Sequence, residues 1–434
     1  MKQKLNYQPV IGLEIHIELK TKAKMFCGCP ADHFAKKPNT QVCPVCLGLP
    51  GALPVANKKA IEWTVFAGLA LDCQIPLLSK FDRKNYFYPD LPKGYQISQY
   101  DMPLCKNGKL GKVQIRRVHL EEDTAKMIHS ANRTLIDFNR SGVSLMEIVT
   151  EPDISSAQEA KEFLKKLQQN VRYLGISDCD MEKGSMRLEA NISVKKPNEQ
   201  KLPGYKVEVK NLNSFRFVEK AIDYEIKRQA QQIRAGKKLI QETRGWDEVK
   251  QATFSQRVKE EAQDYRYFPE PDLPPISWQK KQIKAIRAQL PELPEKKLTR
   301  FVKEFGLSNY QAQILVADLQ KLSFFEETIS LGKKYQLPIK DIANVIINKR
   351  VDIKKISPDQ LVKILIAQKT KPKISQQKII KIIKHVLKTN PKVIEEYKRG
   401  KETVVEFLVG QVMRQTKSQA DPNQARRLIV IKLK

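Results

Sequence analysis

At 434 residues, with 41% hydrophobic and 29% charged residues, the chain has the composition of a water-soluble protein of two to four globular domains. Nothing in it approaches the roughly 18 consecutive apolar residues of a membrane span, and the first residues, Met1 to Tyr7, carry no apolar signal core. Lys and Arg number 78 against 48 Asp and Glu, a formal charge of +30 that points to a polyanionic partner such as nucleic acid, unless it reflects only a lysine-rich proteome.

The first element is a strand. From Val10 to Leu19, Ile11, Leu13, Ile15, Ile17 and Leu19 alternate with Gly12, Glu14, His16 and Glu18. Alternate side chains leave a strand on opposite faces, so Glu14, His16 and Glu18 share one face and the aliphatics bury the other. Four cysteines follow: Cys27 and Cys29, then thirteen residues, then Cys43 and Cys46. Two short cysteine pairs across a loop can close a thiolate tetrahedron around zinc, a structural site because no coordination position stays open; the bland alternative is four unrelated buried thiols. The remaining cysteines, Cys73, Cys105 and Cys179, make the total seven, which argues for a reducing, cytoplasmic setting rather than a disulfide framework.

Next comes Phe81-Asp-Arg-Lys-Asn-Tyr-Phe-Tyr-Pro-Asp90, with Lys93 just beyond. Arg83, Lys84 and Lys93 can hold phosphates there, or the run is a tyrosine-rich structural loop. Glu121-Glu122-Asp123, Glu189 and Glu208 then supply further carboxylates. Gathered in one cavity with Glu14 and His16 they repel one another unless a cation such as Mg²⁺ or Mn²⁺ neutralises them. Singly, each reads as a solvated outward face. Strict alternation puts Glu121 and Glu122 on opposite faces, so only one can point at an ion.

Ser155 with Gln158 reads as a capping box opening a helix whose stripe of Ala160, Phe163, Leu164, Leu167 and Val171 stops at Gly175. Strands follow at Met186–Val194 and around Val207 and Val209, then a helix through Val218 and Ile226 ending at Gly236. The prolines of Tyr265–Pro275 exclude regular structure. Beyond Pro291 the texture is helical, with Ser308 and Gln311 capping one helix, and a break falls at Lys369–Lys373. From Pro372 on, 15 Lys and Arg face 5 acidic residues. Strand runs interrupted by isolated helices, followed by helices alone, make the chain α+β. The expected division is 1–290, 291–371 and 372–434. No phosphate-binding GxxxxGK[ST] loop, nucleophile elbow or glutaminase motif occurs.

On these segments the chain resembles the B subunits of the bacterial tRNA-dependent amidotransferases, the GatCAB complexes. The resemblance is carried by Val10–Leu19, Phe81–Asp90, Tyr95–Tyr100, His119–Asp123, Glu147–Asp153, Lys210–Phe215, Gln241–Arg244, Asp264–Asp272 and Phe407–Met413. It implies a cradle-shaped mixed domain, a helical domain and a small helical tail that grips tRNA. It also implies a reaction, in which ATP and Mg²⁺ phosphorylate the side-chain carboxylate of Glu-tRNA(Gln) or Asp-tRNA(Asn). Ammonia from a glutaminase A subunit then displaces the phosphate, within a heterotrimer completed by a small C subunit. Carried over by residue, Glu14, His16, Glu122 and Glu208 are Mg²⁺ ligands or their supports, with Glu122 favoured over Glu121. Lys84 and Lys93 lie near the phosphates or the aminoacyl end. Cys27, Cys29, Cys43 and Cys46 match the zinc-carrying branch. Glu189 stands where the family usually has Asp, which makes it the least fixed ligand.

Overall fold

The computed structural model describes residues 7–258, 264–370, 375–416 and 420–433. They divide into two compact units, 1–297 and 298–434. Residues 1–6 of the N-terminal run and the boundary expected at 371/372 fall outside the described residues.

The first unit is built on one eight-stranded sheet. Its strands in chain order are β1 (Gln8–Glu18), β2 (Cys105–Leu110), β3 (Val113–Glu122), β4 (Ser144–Thr150), β5 (Met186–Lys195), β6 (Val207–Lys210), β7 (Glu242–Asp247) and β8 (Ala252–Val258). They lie side by side as β8-β7-β6-β5-β1-β4-β3-β2. All neighbours are antiparallel except β6 and β7, which the helix Phe215–Arg234 connects in parallel. The alternation in β1 is realised: Ile11, Leu13, Ile15 and Ile17 are 1% exposed or less. They join Val118, Leu120, Met146, Ile148, Leu188 and Ile192 in a core that the helices Ala157–Leu174 and Phe215–Arg234 share. Burying one such aliphatic side chain contributes roughly 1.5–3 kcal/mol, so the hydrophobic face fixes the register of the whole sheet.

Two details differ from the sequence expectations. The helix cap sits one residue later: Ser156 Oγ accepts from the Glu159 amide at 3.2 Å, while the Glu159 carboxylate accepts from the Ser155 amide at 2.9 Å. Tandem serines offer two caps; Ser156 takes the cap, and Glu159 reaches past it to Ser155, so the reciprocal box is not formed. In the proline-rich stretch, Phe268–Pro269 pairs with Arg83 and Asp82, a two-residue strand that needs no donor from Pro269 on its free side.

The second unit is helical throughout its described residues. Phe301 and Phe325 pack edge-on at 5.3 Å within its first group of helices. Ser308 and Gln311 form the expected capping box. The helices Gln376–Thr389, Val404–Gln415 and Pro422–Leu433 enclose a core of their own around Ile383, Leu408, Val412 and Ile429.

Candidate active site and metal centres

The sheet face opposite the aliphatic core gathers the polar side chains, and strand register decides which ones meet. Glu14 lies directly across from Glu189 on β5, and Asn191 across from Glu208 on β6. One carboxylate oxygen each of Glu14, Glu189 and Glu208 falls within 4.8 Å of the others. Lys210 Nζ donates to Glu189 at 3.0 Å, Thr243 Oγ1 to Glu208 at 2.7 Å, and Asn191 Nδ2 to Glu14 at 2.8 Å. Burial pushes the Glu189 carboxyl up, with Lys210 and His16 working against it.

A second cluster adjoins on the other side of β1. His16 is across from Glu147 on β4, and His119 of β3 is across from the same Glu147. His16 Nε2 stands 3.5 Å from Glu121 and 3.6 Å from Glu147, while His119 Nε2 is 3.1 Å from Glu147. Burial opposes charge on His16, yet the Glu147 and Glu121 carboxylates outweigh it and raise its pKa to about 9. Burial likewise disfavours a charged Glu147, but His119 and His16 hold it well below the usual carboxylate range. Above this cluster lies Lys84. Burial disfavours its ammonium, and the Glu121 carboxylate more than compensates, so its pKa is raised. The Tyr265 ring lies 4.8 Å beneath the same ammonium.

Both clusters suit a hard divalent cation. Among the described residues the buried Asn191 Oδ1 and His119 Nδ1 lack hydrogen-bond partners, and each sits beside one carboxylate group. Carboxylates and a neutral amide oxygen are the donors that Mg²⁺ and Mn²⁺ take, and His16 can add an imidazole nitrogen only by giving up the proton that Glu147 and Glu121 hold on it.

The predicted residues therefore separate. Glu14, Glu189 and Glu208 come together, and Lys84 joins His16. Glu122 does not: it lies on the core side of the sheet, takes the Lys93 ammonium at 2.6 Å and accepts from the Ile97 amide at 2.9 Å. Glu121 holds the place by His16 that the resemblance assigns to Glu122. Arg83 also turns away, because it alternates with Lys84 on the short strand Asp82–Asn85. It forms a two-pronged pair with Glu270 at 2.7 and 2.8 Å and stacks on Tyr95 at 4.3 Å. Glu147, His119, Lys210 and Asn191 are the residues that reading the sequence for ligands overlooked. Glu147 had one signal: a lone carboxylate in the otherwise uncharged run Ser144–Thr150.

The cysteine set closes as its spacing suggests. The sulfurs of Cys27, Cys29, Cys43 and Cys46 lie within 4.8 Å of one another, all as free thiols. A hydrogen bond from Cys27, the Cys43 amide and the Lys24 ammonium bring the Cys46 thiol down to about 4 against its burial. Burial and its neighbours push Cys29 up to about 11. Four soft sulfur donors at this separation fit a tetrahedral metal such as zinc.

Residues 9–284 match the family model of the GatB/GatE catalytic domain, and residues 339–433 that of the GatB domain. The B subunit of the aspartyl/glutamyl-tRNA(Asn/Gln) amidotransferase of Thermodesulfovibrio yellowstonii is 46% identical over 475 aligned positions, covering 98% of this chain and 99% of the relative. The B subunits of the same name from Persephonella marina and Carboxydothermus hydrogenoformans are each 44% identical, with the same coverage.

Proposed function

The chain belongs to the family of tRNA-dependent amidotransferase B subunits, and from that membership we propose that its carboxylate-lined sheet face is where the amino acid on the tRNA is activated. The substrates are Glu-tRNA(Gln), Asp-tRNA(Asn) or both, and the product is the corresponding amide. The observation that carries this reading is the register of β1, which brings Glu14 to Glu189 and His16 to Glu147 on one face of a rigid sheet.

A carboxylate is a poor acyl donor because its leaving group would be oxide. Bound ATP and Mg²⁺ would supply the phosphoryl group and the countercharge that its transfer requires. The residues that would hold the cation are His16, Glu121 and Glu147 on one side of β1, and Glu14, Glu189 and Glu208 on the other. Lys84 and Lys210 are cations fixed at the rim of these clusters, placed to attract the phosphates and the substrate carboxylate. Their own partners limit their motion, so the positive charge is oriented before substrate arrives. The Lys93–Glu122 and Arg83–Glu270 pairs support the strands that carry Glu121 and Lys84.

The reading includes work in a heterotrimer, with ammonia supplied by a glutaminase A subunit, in the cytoplasm. No described helix is long and apolar enough to cross a membrane. The four cysteines hold a structural zinc. The basic C-terminal helices, with their separate core, grip the tRNA. A purely RNA-binding role is disfavoured, because a protein built only to hold a polyanion gains nothing by collecting Glu14, Glu121, Glu147, Glu189 and Glu208 on one face.

The test is transamidation of both aminoacyl-tRNAs by the co-expressed complex with ATP, Mg²⁺ and either glutamine or ammonium. The parent forms amide and a His16→Ala complex does not, even with ammonium. Full turnover in the variant would remove the activation site from this face.

A further inference from the structure

Lys24 is among the largest fully buried side chains, at 0% exposure, and it has an unusual set of neighbours. Its Nζ lies 3.6 Å from Cys46 Sγ and 3.3 Å from the Phe138 carbonyl oxygen. Among the described residues no carboxylate pairs with it; its side-chain partners are the Cys46 sulfur and the Phe138 carbonyl. A lysine taken wholly out of water requires a counter-charge or it loses its own. Among the described residues that counter-charge can come only from the cysteine centre.

The surroundings are shaped to hold that contact. The Lys24 amide donates to the Cys29 carbonyl at 2.9 Å, and Asn57 Nδ2 donates to the Lys24 carbonyl at 3.1 Å, so its backbone is pinned inside the cysteine loop. Ser141 Oγ donates to the Cys46 carbonyl at 3.1 Å. Gly142, at φ +81°, packs beside both residues, since a Cβ there would make ordinary contact with Cys46 Cβ at 3.5 Å and Lys24 Cδ at 3.7 Å. A divalent ion held by four thiolates carries a net charge of −2, and one ammonium against one sulfur offsets half of it.

We propose that Lys24 is the internal counter-cation of the four-cysteine centre, a positioning residue that directs Cys46 toward the ion and strengthens metal retention. This rests on the reading of the cysteines as a metal centre. Its effect is on the ion rather than on the sheet-face chemistry, so it is measured without turnover.

The experiment is zinc competition on the full chain with a chromogenic chelator, together with the absorption of the cobalt-loaded protein, for the parent, Lys24→Met and Lys24→Arg. The expected results are one tetrahedral thiolate-bound ion in the parent, retention about 10- to 100-fold weaker in Lys24→Met, and retention nearer the parent in Lys24→Arg. A parent that takes up neither zinc nor cobalt overturns the metal-centre reading and Lys24 with it. A parent that binds, beside a Lys24→Met chain that binds equally well, overturns the role of Lys24 alone. Should Lys24→Met prove insoluble, Lys24→Gln takes its place: retention about 10-fold or more below the parent supports the charge pairing, and retention equal to the parent refutes it.

Discussion

Glu121 and Glu122 are neighbours on one strand with opposite duties: Glu121 lies 3.5 Å from His16 Nε2, and Glu122 holds the Lys93 ammonium at 2.6 Å across the sheet. Glu121→Gln removes an anionic donor from the His16 cluster and leaves the fold intact. We expect ammonium-dependent transamidation to fall by on the order of 10²-fold with no shift in thermal midpoint. Glu122→Gln instead leaves Lys93 buried without its partner and costs roughly 3–5 kcal/mol of stability. Denaturation of both variants, with activity normalised to folded protein, separates the two roles. Equal activity losses at equal stability would merge them.

The cation at the sheet face is checked without tRNA. Mn²⁺ titration followed by electron paramagnetic resonance should show tighter binding in the parent than in His16→Ala or Glu189→Gln, each weaker by about tenfold or more. Unchanged binding in both would mean that the carboxylates balance only Lys84, Lys210 and the two histidines.

Replacing Cys43 and Cys46 by Ser should lower the thermal midpoint of the chain far more than turnover per folded molecule. Both cysteines lie beyond β1 in the loop that Ser141 and Gly142 contact, not on the carboxylate face. An unchanged midpoint with abolished amide formation would bring the cysteine centre into the chemistry.

In the helical unit, Asp318 caps the helix Leu319–Gly332 by accepting from the Gln320 and Lys321 amides at 3.0 and 3.1 Å. Burial works against its charge, but the Lys321 hydrogen bonds hold its pKa below the usual carboxylate value. A depressed folded-state pKa adds stability above the unfolded value, and that stability is lost as pH falls through the folded one. Asp318→Ala should therefore cost about 1 kcal/mol at neutral pH, and the gap from the parent should narrow below about pH 4. Hydrogen exchange of this helix at pH 7 and near pH 3 would measure it.

Deletion of residues 375–434 should weaken tRNA binding while partly sparing activity at saturating tRNA, because the carboxylate face belongs to residues 14–208 and the deleted helices pack on their own core. Filter binding at several salt concentrations should also show a shallower salt dependence as basic contacts are lost. Full affinity in the truncated complex would refute the grip.

Legibility in the sequence followed exposure. The first strand announces itself because one face is apolar and the other polar, and Glu14, His16, Glu189 and Glu208 all come from strands whose sequence alternates in this way. β4 is buried on both faces, so Glu147 has no alternation to mark it. On β3 the obstacle is a bulge between Ile115 and Arg117. Ahead of it the core residues are Val113 and Ile115; beyond it they are Val118 and Leu120. Counting by twos from Ile115 sends Glu122 to the wrong side, and one extra residue corrects the count to Glu121. Arg83 and Lys84 show the opposite limit: both look equally basic, and the partner strands, Tyr95–Ser98 and the distant Phe268–Pro269, decide which turns inward.

β1 has a further consequence. It is paired on both edges, and each neighbour contributes one of the three residues of a cluster, Glu189 from β5 and Glu147 from β4. A shift of one residue against either neighbour would exchange Glu14, His16 and Glu18 with Leu13, Ile15 and Ile17, drowning the acids in hydrocarbon while stranding the aliphatics in water. The site therefore cannot drift by small steps: insertions and deletions in this strand are tolerable only in pairs, and the aliphatic face acts as a ratchet that keeps the ligands aligned.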